Sequence, residues 1–499
     1  MSATQTVPPQ SVPGFLPPDY SSPLNETTSI RLDSELPAYV PPPPASSGSN
    51  NGHGIGAEGA LGSSQPKEFH SELKKKGKTI ATLTLIADSA LSKGIPTYAQ
   101  GQPIKGRVKL NLEKPETIQS VVVTVRGQVI TGAGPNEHLT FVDISRVPWS
   151  QSDGEPLNSS SDDGNSTPTP TASTTAPATT TSAPSVEPST PKFTGKLQGE
   201  YTWPFKVDLP KQVVVLSGGL KGEPQTFALP QTFSERHARA SVLYEVSLQL
   251  TKGKLRADYR VASTFGYIPI TRPPPFSTLR RLAYEEGTTL LGPTIDPEGW
   301  FSPEPAHIKG TIFNNRVTQV KCTLYLAKPL SYTRSSVLPV CLSLESADTQ
   351  ALDLLSSPKA VVARLRRRVR CRMNADKTME SLAWKDTIDD SQLAIWWPST
   401  KRPEDSQSQR FVNGELHLRA DIKPTSSMAH FRIEYTVVLL PFDAPGFVSA
   451  DISPLIEYPV EIVTSYAPGP RPRMSAPPGY ESDVPVVTYG ITSMRSTFY

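Results

Sequence analysis

The 499-residue sequence contains only three cysteines and no long run of apolar residues. An odd number of cysteines argues against a disulfide framework, and Cys322, Cys341 and Cys371 read as small buried hydrophobic residues. The longest apolar stretches, Val437 to Phe442 and Ser335 to Leu344, are far shorter than the roughly 20 residues of a membrane-spanning helix. The N-terminus has no basic segment followed by an apolar one. We therefore expect a soluble, non-secreted protein of the cytoplasm.

Residue patterns that assemble catalytic or metal sites are also missing. The seven histidines are scattered, without the His-x-x-x-His or Cys-x-x-Cys spacing of metal ligands, and no Gly-x-Ser-x-Gly sequence occurs. Gly54 to Gly59 matches the Gly-x-Gly-x-x-Gly of dinucleotide-binding proteins. It lies in a Ser/Asn/Gly-rich stretch, whereas that sequence binds phosphates only between a strand and a helix. The sequence predicts no catalytic residues, no metal and no cofactor, hence no enzyme.

Proline, by contrast, is abundant, and about half of the 52 prolines fall in three segments. Residues 1–66, 151–191 and 467–499 combine Pro, Ser, Thr and Gly with few branched apolar residues. Such segments cannot bury enough surface to offset the entropy lost on ordering. We predict a disordered head, a low-complexity insertion and a flexible tail.

Between these segments, apolar residues recur at every second position. Ile104 to Leu112 alternates apolar or Gly with polar residues, and the pattern returns in Val242 to Leu250 and Phe431 to Leu439. This period is typical of strands with one face on a core and one in water. Asp348 to Leu355 is the best candidate for a short helix. The pattern as a whole predicts antiparallel β-sandwiches.

The stretch of β-structure is too long for one sandwich, and three consecutive prolines after Thr271 form a natural break. We predict an all-β fold of two tandem immunoglobulin-like antiparallel β-sandwiches with disordered N- and C-terminal tails. The first covers residues 67–270 with the insertion 151–191, the second covers residues 295–466, and residues 271–294 form a linker.

Pro-Pro-x-Tyr sequences occur in both proline-rich ends. The prolines favour a polyproline II helix before binding, so little entropy is lost when their rings enter the aromatic groove of a WW domain. The tyrosine two places later fills a second pocket. A chance match in a proline-rich spacer is the alternative. The predicted docking residues are Pro17, Pro18 and Tyr20, the related Leu36, Pro37 and Tyr39, and Pro477, Pro478 and Tyr480.

A basic run extends from Arg364 to Arg372. As a strand, it places Leu365, Val369 and Cys371 on one face. The opposite face could bind an anionic surface such as a membrane. The alternative, which we favour, is a half-buried strand whose charged outer face is simply solvated. The arginines of that face are Arg366, Arg368, Arg370 and Arg372.

Four stretches resemble the arrestin superfamily, specifically the fungal arrestin-like (α-arrestin) trafficking adaptors. They are Tyr98 to Leu112, Ile118 to Gly127, Gly199 to Pro210 and Ile433 to Val438. The resemblance covers roughly residues 67–466, and flanking Pro-Pro-x-Tyr motifs are characteristic of that family. The insertion 151–191 departs from the family pattern. The buried charged residues that form the phosphate-sensing core of visual arrestins have no assigned counterparts in this sequence.

The resemblance implies an arrestin fold, no catalysis, and recruitment of a HECT-type ubiquitin ligase to the cytosolic segments of membrane transporters or receptors. Ubiquitination and endocytosis of that cargo follow, with the adaptor recruited to the plasma membrane or endosomes. No nucleic-acid partner is expected. The alternative is a retromer-like or scaffold β-sandwich protein for vesicle cargo sorting or signalling, whose proline-rich ends bind other Pro-x-x-Pro readers without recruiting a ligase.

Overall fold

The structure, a computed structural model, describes residues 65–132, 134, 137–156, 192–217, 223–253, 256–313, 315–372, 384–399 and 407–480. The motifs at Pro17, Pro18 and Tyr20 and at Leu36, Pro37 and Tyr39 lie outside the described residues. So do Gly54 to Gly59 and nearly all of the insertion 151–191.

The first half of the described chain forms three sheets. A four-stranded sheet has the order β1-β2-β4-β7, and a second sheet has the order β3-β12-β11-β5-β6 with β10 beside β11. In the second sheet β3 and β12 are parallel, while β8 and β9 form a separate hairpin. The strands are β1 (Pro66–Lys75), β2 (Lys78–Asp88), β3 (Thr97–Ala99), β4 (Ile104–Glu116), β5 (Ser120–Ile130), β6 (His138–Ser150), β7 (Leu197–Val207), β8 (Gln212–Ser217), β9 (Glu223–Ala228), β10 (Phe233–Ser234), β11 (Ser241–Thr251) and β12 (Tyr259–Ile268).

Strand β4 shows why the alternating sequence folds in this way. Ile104, Val108 and Leu110 are fully buried, while Lys105, Arg107 and Lys109 are exposed or half-buried. Each such side chain stabilises the fold by about 1.5–3 kcal/mol on burial. Gly106 shares the buried face because a Cβ there would lie 2.6 Å from the ring of Phe205. The period of two is confirmed in this strand.

The second half forms two sheets. One has the order β20-β21-β17-β15-β14-β24 with β13 beside β15, and the other has the order β16-β25-β23-β18-β19 with β22 beside β23. The strands are β13 (Trp300–Phe301), β14 (Ala306–Ile312), β15 (Arg316–Ala327), β16 (Ser331–Thr333), β17 (Val337–Glu345), β18 (Ala363–Arg372), β19 (Trp384–Leu393), β20 (Ile395–Pro398), β21 (Gln409–His417), β22 (Ser426–Met428), β23 (Phe431–Leu439), β24 (Phe447–Ser449) and β25 (Ile456–Val463).

Two α-helices accompany these sheets in the described residues. Helix α2 (Thr349–Leu355) confirms the predicted helix, and its N-cap Asp348 accepts a hydrogen bond from the Ala351 N–H at 3.0 Å. Helix α1 (Thr278–Glu286) lies in the predicted linker 271–294, where no helix was expected. It ends at Gly287, whose φ of 71° is left-handed, as is common at helix C-termini.

The all-β prediction with tandem sandwiches is confirmed, and within the described residues each sheet takes its strands from one half of the chain. The halves are in contact. The rings of Phe233 and Phe431 lie 5.1 Å apart, and the Thr271 N–H donates to Thr464 Oγ1 at 2.9 Å. The three cysteines are free and buried, as predicted. The residue boundaries of the two domains stay a prediction.

Candidate docking site at the C-terminal segment

Of the predicted docking residues, the structure describes those of the C-terminal motif. Pro477-Pro478-Gly479-Tyr480 forms a β-turn in which the Tyr480 N–H donates to the Pro477 carbonyl at 3.2 Å. Gly479 has a φ of 91°, which the third position of such a turn requires, and proline favours the second. Pro478 is exposed and Tyr480 is 38% exposed. The turn therefore presents a proline ring and the tyrosine to solvent.

Residues 466–476, named the strap below, lead into this turn. Pro468, Pro470 and Pro472 alternate with Gly or Arg, which excludes helix and favours an extended chain. At its start, the Tyr466 hydroxyl donates to the Ser335 carbonyl at 2.9 Å, and the Arg471 guanidinium lies 4.7 Å from the Tyr466 ring. A small cavity between the strap, the linker and β16 is lined by residues including Pro273, Phe276, Tyr332, Pro470 and Pro472.

The strap also lies against the end of α1. A Cβ on Gly287 would come within 2.4 Å of Arg473 Nη1, so the guanidinium occupies the space beside this glycine. Positive charge at a helix C-terminus interacts favourably with the helix dipole. The strap thus contacts the linker as well as the second half of the chain.

The end of the strap is held by a buried carboxylate. Glu415 on β21 is 1% exposed, and it accepts hydrogen bonds from the Ser475 N–H at 2.9 Å and the Ala476 N–H at 3.3 Å. His417 Nε2 lies 2.7 Å from the same carboxylate. A buried charge is tolerated when such partners replace its water shell. Residues assigned to a flexible tail by composition are therefore bound to the body up to Ala476.

The basic face of β18 forms a ladder of ion pairs with neighbouring strands. The apolar face is buried as the alternation predicts. Arg366 contacts Asp390 at 2.7 Å, and its hydrogen bond lowers the pKa of that carboxyl. The other contacts are Arg366 to Glu457, Arg368 to Asp386 and Glu457, and Arg370 to Asp386 and Glu434, all within 3.8 Å. The contact of Arg366, Arg368, Arg370 and Arg372 with an anionic surface stays a prediction. For Arg366, Arg368 and Arg370, it would require these ion pairs to exchange partners.

Arg367 is the residue of this strand that the sequence analysis overlooked. It shares the face of Leu365 and Val369, and its two terminal nitrogens each lie 2.8 Å from an oxygen of Glu235. Glu235 follows β10 in the first half of the chain, so this bidentate pair joins the two halves. A lone arginine in an apolar face is the sequence signal that could have found it.

Among the described residues, no group of three or more His, Cys, Asp or Glu side chains could hold a metal ion. No helix in this part of the chain is long and apolar enough to cross a membrane.

Residues 88–252 match the family model for the N-terminal domain of arrestin (or S-antigen). The matched range begins at the last residue of β2 and extends just past β11. It contains two of the four strands of the β1-β2-β4-β7 sheet, the β8-β9 hairpin and every strand of the second sheet except β12. The chain matches no curated protein.

Proposed function

We propose that this chain, which is arrestin-like over residues 88–252, is a non-catalytic adaptor of the α-arrestin type. Its Pro-Pro-x-Tyr motifs bind a WW-domain ubiquitin ligase of the HECT type, and its sandwiches bind a cytosolic segment of a membrane transporter or receptor. The family match supports the adaptor role. The observation that supports ligase binding is the exposed turn at Pro477-Pro478-Gly479-Tyr480.

The chemistry of the turn fits an aromatic groove. The Pro478 ring and the Tyr480 ring reach solvent at the end of an extended, proline-rich segment, where an aromatic groove can contact both. Tyrosine offers a large apolar area together with a hydroxyl, which makes it a frequent anchor residue at interfaces.

Several such motifs on one chain strengthen the interaction. The first Pro-Pro-x-Tyr ends at Tyr20 and the Leu-Pro-x-Tyr ends at Tyr39, and both lie on the same chain as the described C-terminal motif. A ligase with more than one WW domain then binds the second motif as an intramolecular event. Avidity gained in this way exceeds single-site affinity by about 10²–10⁴ where the geometry permits.

Two separate binding sites on one chain bring the ligase and the cargo together. The sandwiches, proposed to span residues 67–270 and 295–466, hold the cargo while the ends bring the ligase beside it. Ubiquitination and endocytosis of the cargo follow, with the adaptor moving from the cytoplasm to the plasma membrane or endosomes.

Co-purification of the ligase tests the proposal. Tyr20→Ala combined with Tyr480→Ala should abolish capture of the WW-domain ligase, because both aromatic anchors of the Pro-Pro-x-Tyr motifs are removed, while circular dichroism of the β-rich body stays unchanged. Tyr489→Ala, a tyrosine of the same end outside such a motif, is the matched control. Unchanged capture by the double variant contradicts ligase docking. Binding to SH3 domains in place of WW domains supports the scaffold alternative.

A further inference from the structure

Ser475 combines two properties at the junction between the strap and the Pro-Pro-x-Tyr turn. The residue is exposed, and its backbone N–H donates to the carboxylate of the buried Glu415 at 2.9 Å. The next residue, Ala476, donates to the same carboxylate. Any group added to the Ser475 hydroxyl therefore lies beside the charge that holds the strap.

We propose that Ser475 is a phosphorylation site and that its phosphate releases the strap from Glu415. A protein kinase transfers the γ-phosphoryl group of ATP to Ser475 Oγ, the hydroxyl proton passes to a base of the kinase, and ADP leaves. Arg471 and Arg473, four and two residues earlier, are exposed and give the segment the positive charge that an acidic kinase groove recognises.

The release follows from electrostatics. A phosphoserine carries about −1.5 to −2 charges at neutral pH, and beside an existing carboxylate it acts by like-charge repulsion. Glu415 is held in the interior on β21 and cannot turn its charge to water. Of the nearby cations, His417 already contacts Glu415, whereas the Arg471 guanidinium lies 4.7 Å from the Tyr466 ring and the Arg473 guanidinium lies beside Gly287.

Release of the strap makes the C-terminal Pro-Pro-x-Tyr motif more accessible to a WW domain. This consequence rests on the proposed function. In the bound strap, Ala476 and Pro477 are half-buried, so a groove cannot enclose the first proline of the motif. The apparent dissociation constant of a site that is competent for only a fraction of the time is raised by the inverse of that fraction. Phosphorylation therefore increases ligase affinity at this motif.

Hydrogen exchange on the full chain tests the release. Ser475→Glu should lower protection of the amides of residues 475 and 476 by about tenfold or more, as expected when a charge-assisted hydrogen bond is lost. Met474→Glu adds the same charge on a neighbouring side chain that is 71% exposed, and it should leave protection unchanged. In a Glu415→Gln background, Ser475→Glu should have a much smaller effect because the repulsion is absent. Full protection in Ser475→Glu, or equal loss in Met474→Glu, overturns the mechanism.

Two further measurements separate this inference from ligase docking itself. Incubation of the full chain with ATP and an arginine-directed protein kinase should place phosphate on Ser475 by mass spectrometry, and Arg471→Ala with Arg473→Ala should reduce it severalfold. A chain without phosphate at Ser475 overturns the assignment of the site. Titration of a WW domain should then show tighter binding to the phosphorylated full chain, but not to a phosphorylated peptide of residues 470–486. If the peptide of residues 470–486 binds no WW domain with or without the phosphate, the docking proposal is refuted. Equal binding to both forms of the full chain refutes only the switch.

Discussion

The bidentate pair between Glu235 and Arg367 gives the sharpest prediction about how the two halves of the chain are held together. Burial opposes the charge of Arg367, yet the hydrogen bonds and charge of Glu235 outweigh it and raise the pKa of the guanidinium. The side chains are 18% and 31% exposed, between the exposed and the buried class of ion pair. Exposed pairs contribute about 0.2–1 kcal/mol, and removal of one partner from a buried pair costs about 3–5 kcal/mol.

We therefore expect a coupling free energy of about 1.5–3 kcal/mol between the two side chains, intermediate between those classes. It is measured with Glu235→Gln, Arg367→Gln and the double variant in a double-mutant cycle of urea unfolding. Two spectroscopic probes should report coincident transitions, because chains with two domains can depart from two-state behaviour.

Arg126 and Asp143 provide the control cycle. They lie 2.9 Å apart within the first half, but their side chains are 38% and 46% exposed. The coupling free energy of this pair should fall below about 1 kcal/mol. If the pair between the halves couples no more strongly than this surface pair, the reasoning that it locks the two halves together is refuted.

Three further predictions follow from the body of the protein. Gly106→Ala should destabilise the fold by about 1–3 kcal/mol in urea unfolding, because the new Cβ would lie 2.2 Å from the Thr84 carbonyl oxygen; an unchanged midpoint would contradict that packing. The hydrogen bond from Arg366 lowers the pKa of Asp390, so the ionised carboxylate stabilises the folded chain. This stabilisation is fully present above about pH 4 and disappears as the pH falls through the lowered pKa. Asp390→Asn should thus lower the free energy of unfolding by up to about 1 kcal/mol at neutral pH and by almost nothing in strong acid. A difference between variant and wild type that does not change with pH would contradict this prediction. Burial raises the pKa of Cys341 to about 12, so a maleimide should label this thiol only after unfolding, and rapid labelling of the native chain would show that the thiol is accessible.

The sheets could be predicted because their cause is local. A strand with one buried face must alternate, so Ile104 to Leu112 gave strand β4 directly, although β4 continues to Glu116. Helix α1 was missed for an equally local reason. Its buried positions are Arg280, Ala283 and Tyr284, and a buried arginine interrupts the apolar stripe by which a helix is recognised.

The contacts of the candidate site could not be predicted because their causes are distant in sequence. Composition alone indicates a flexible segment after residue 466, yet Glu415 lies 60 positions before Ser475 and supplies the acceptor that holds it. Likewise, in the sequence Arg367 is one of several arginines in a basic run. Its role could not be predicted because its partner, Glu235, lies 132 positions away. The Pro-Pro-x-Tyr motifs needed no such context, since their chemistry lies in four consecutive residues.

The most direct test of the adaptor proposal is calorimetric titration of purified tandem WW domains into the full chain and its Tyr20→Ala/Tyr480→Ala variant. The proposal predicts saturable binding to the wild-type chain and an affinity at least about tenfold weaker for the variant, since both anchors and their avidity are lost. Equal affinities for the two chains, or no binding to the wild type, would contradict it.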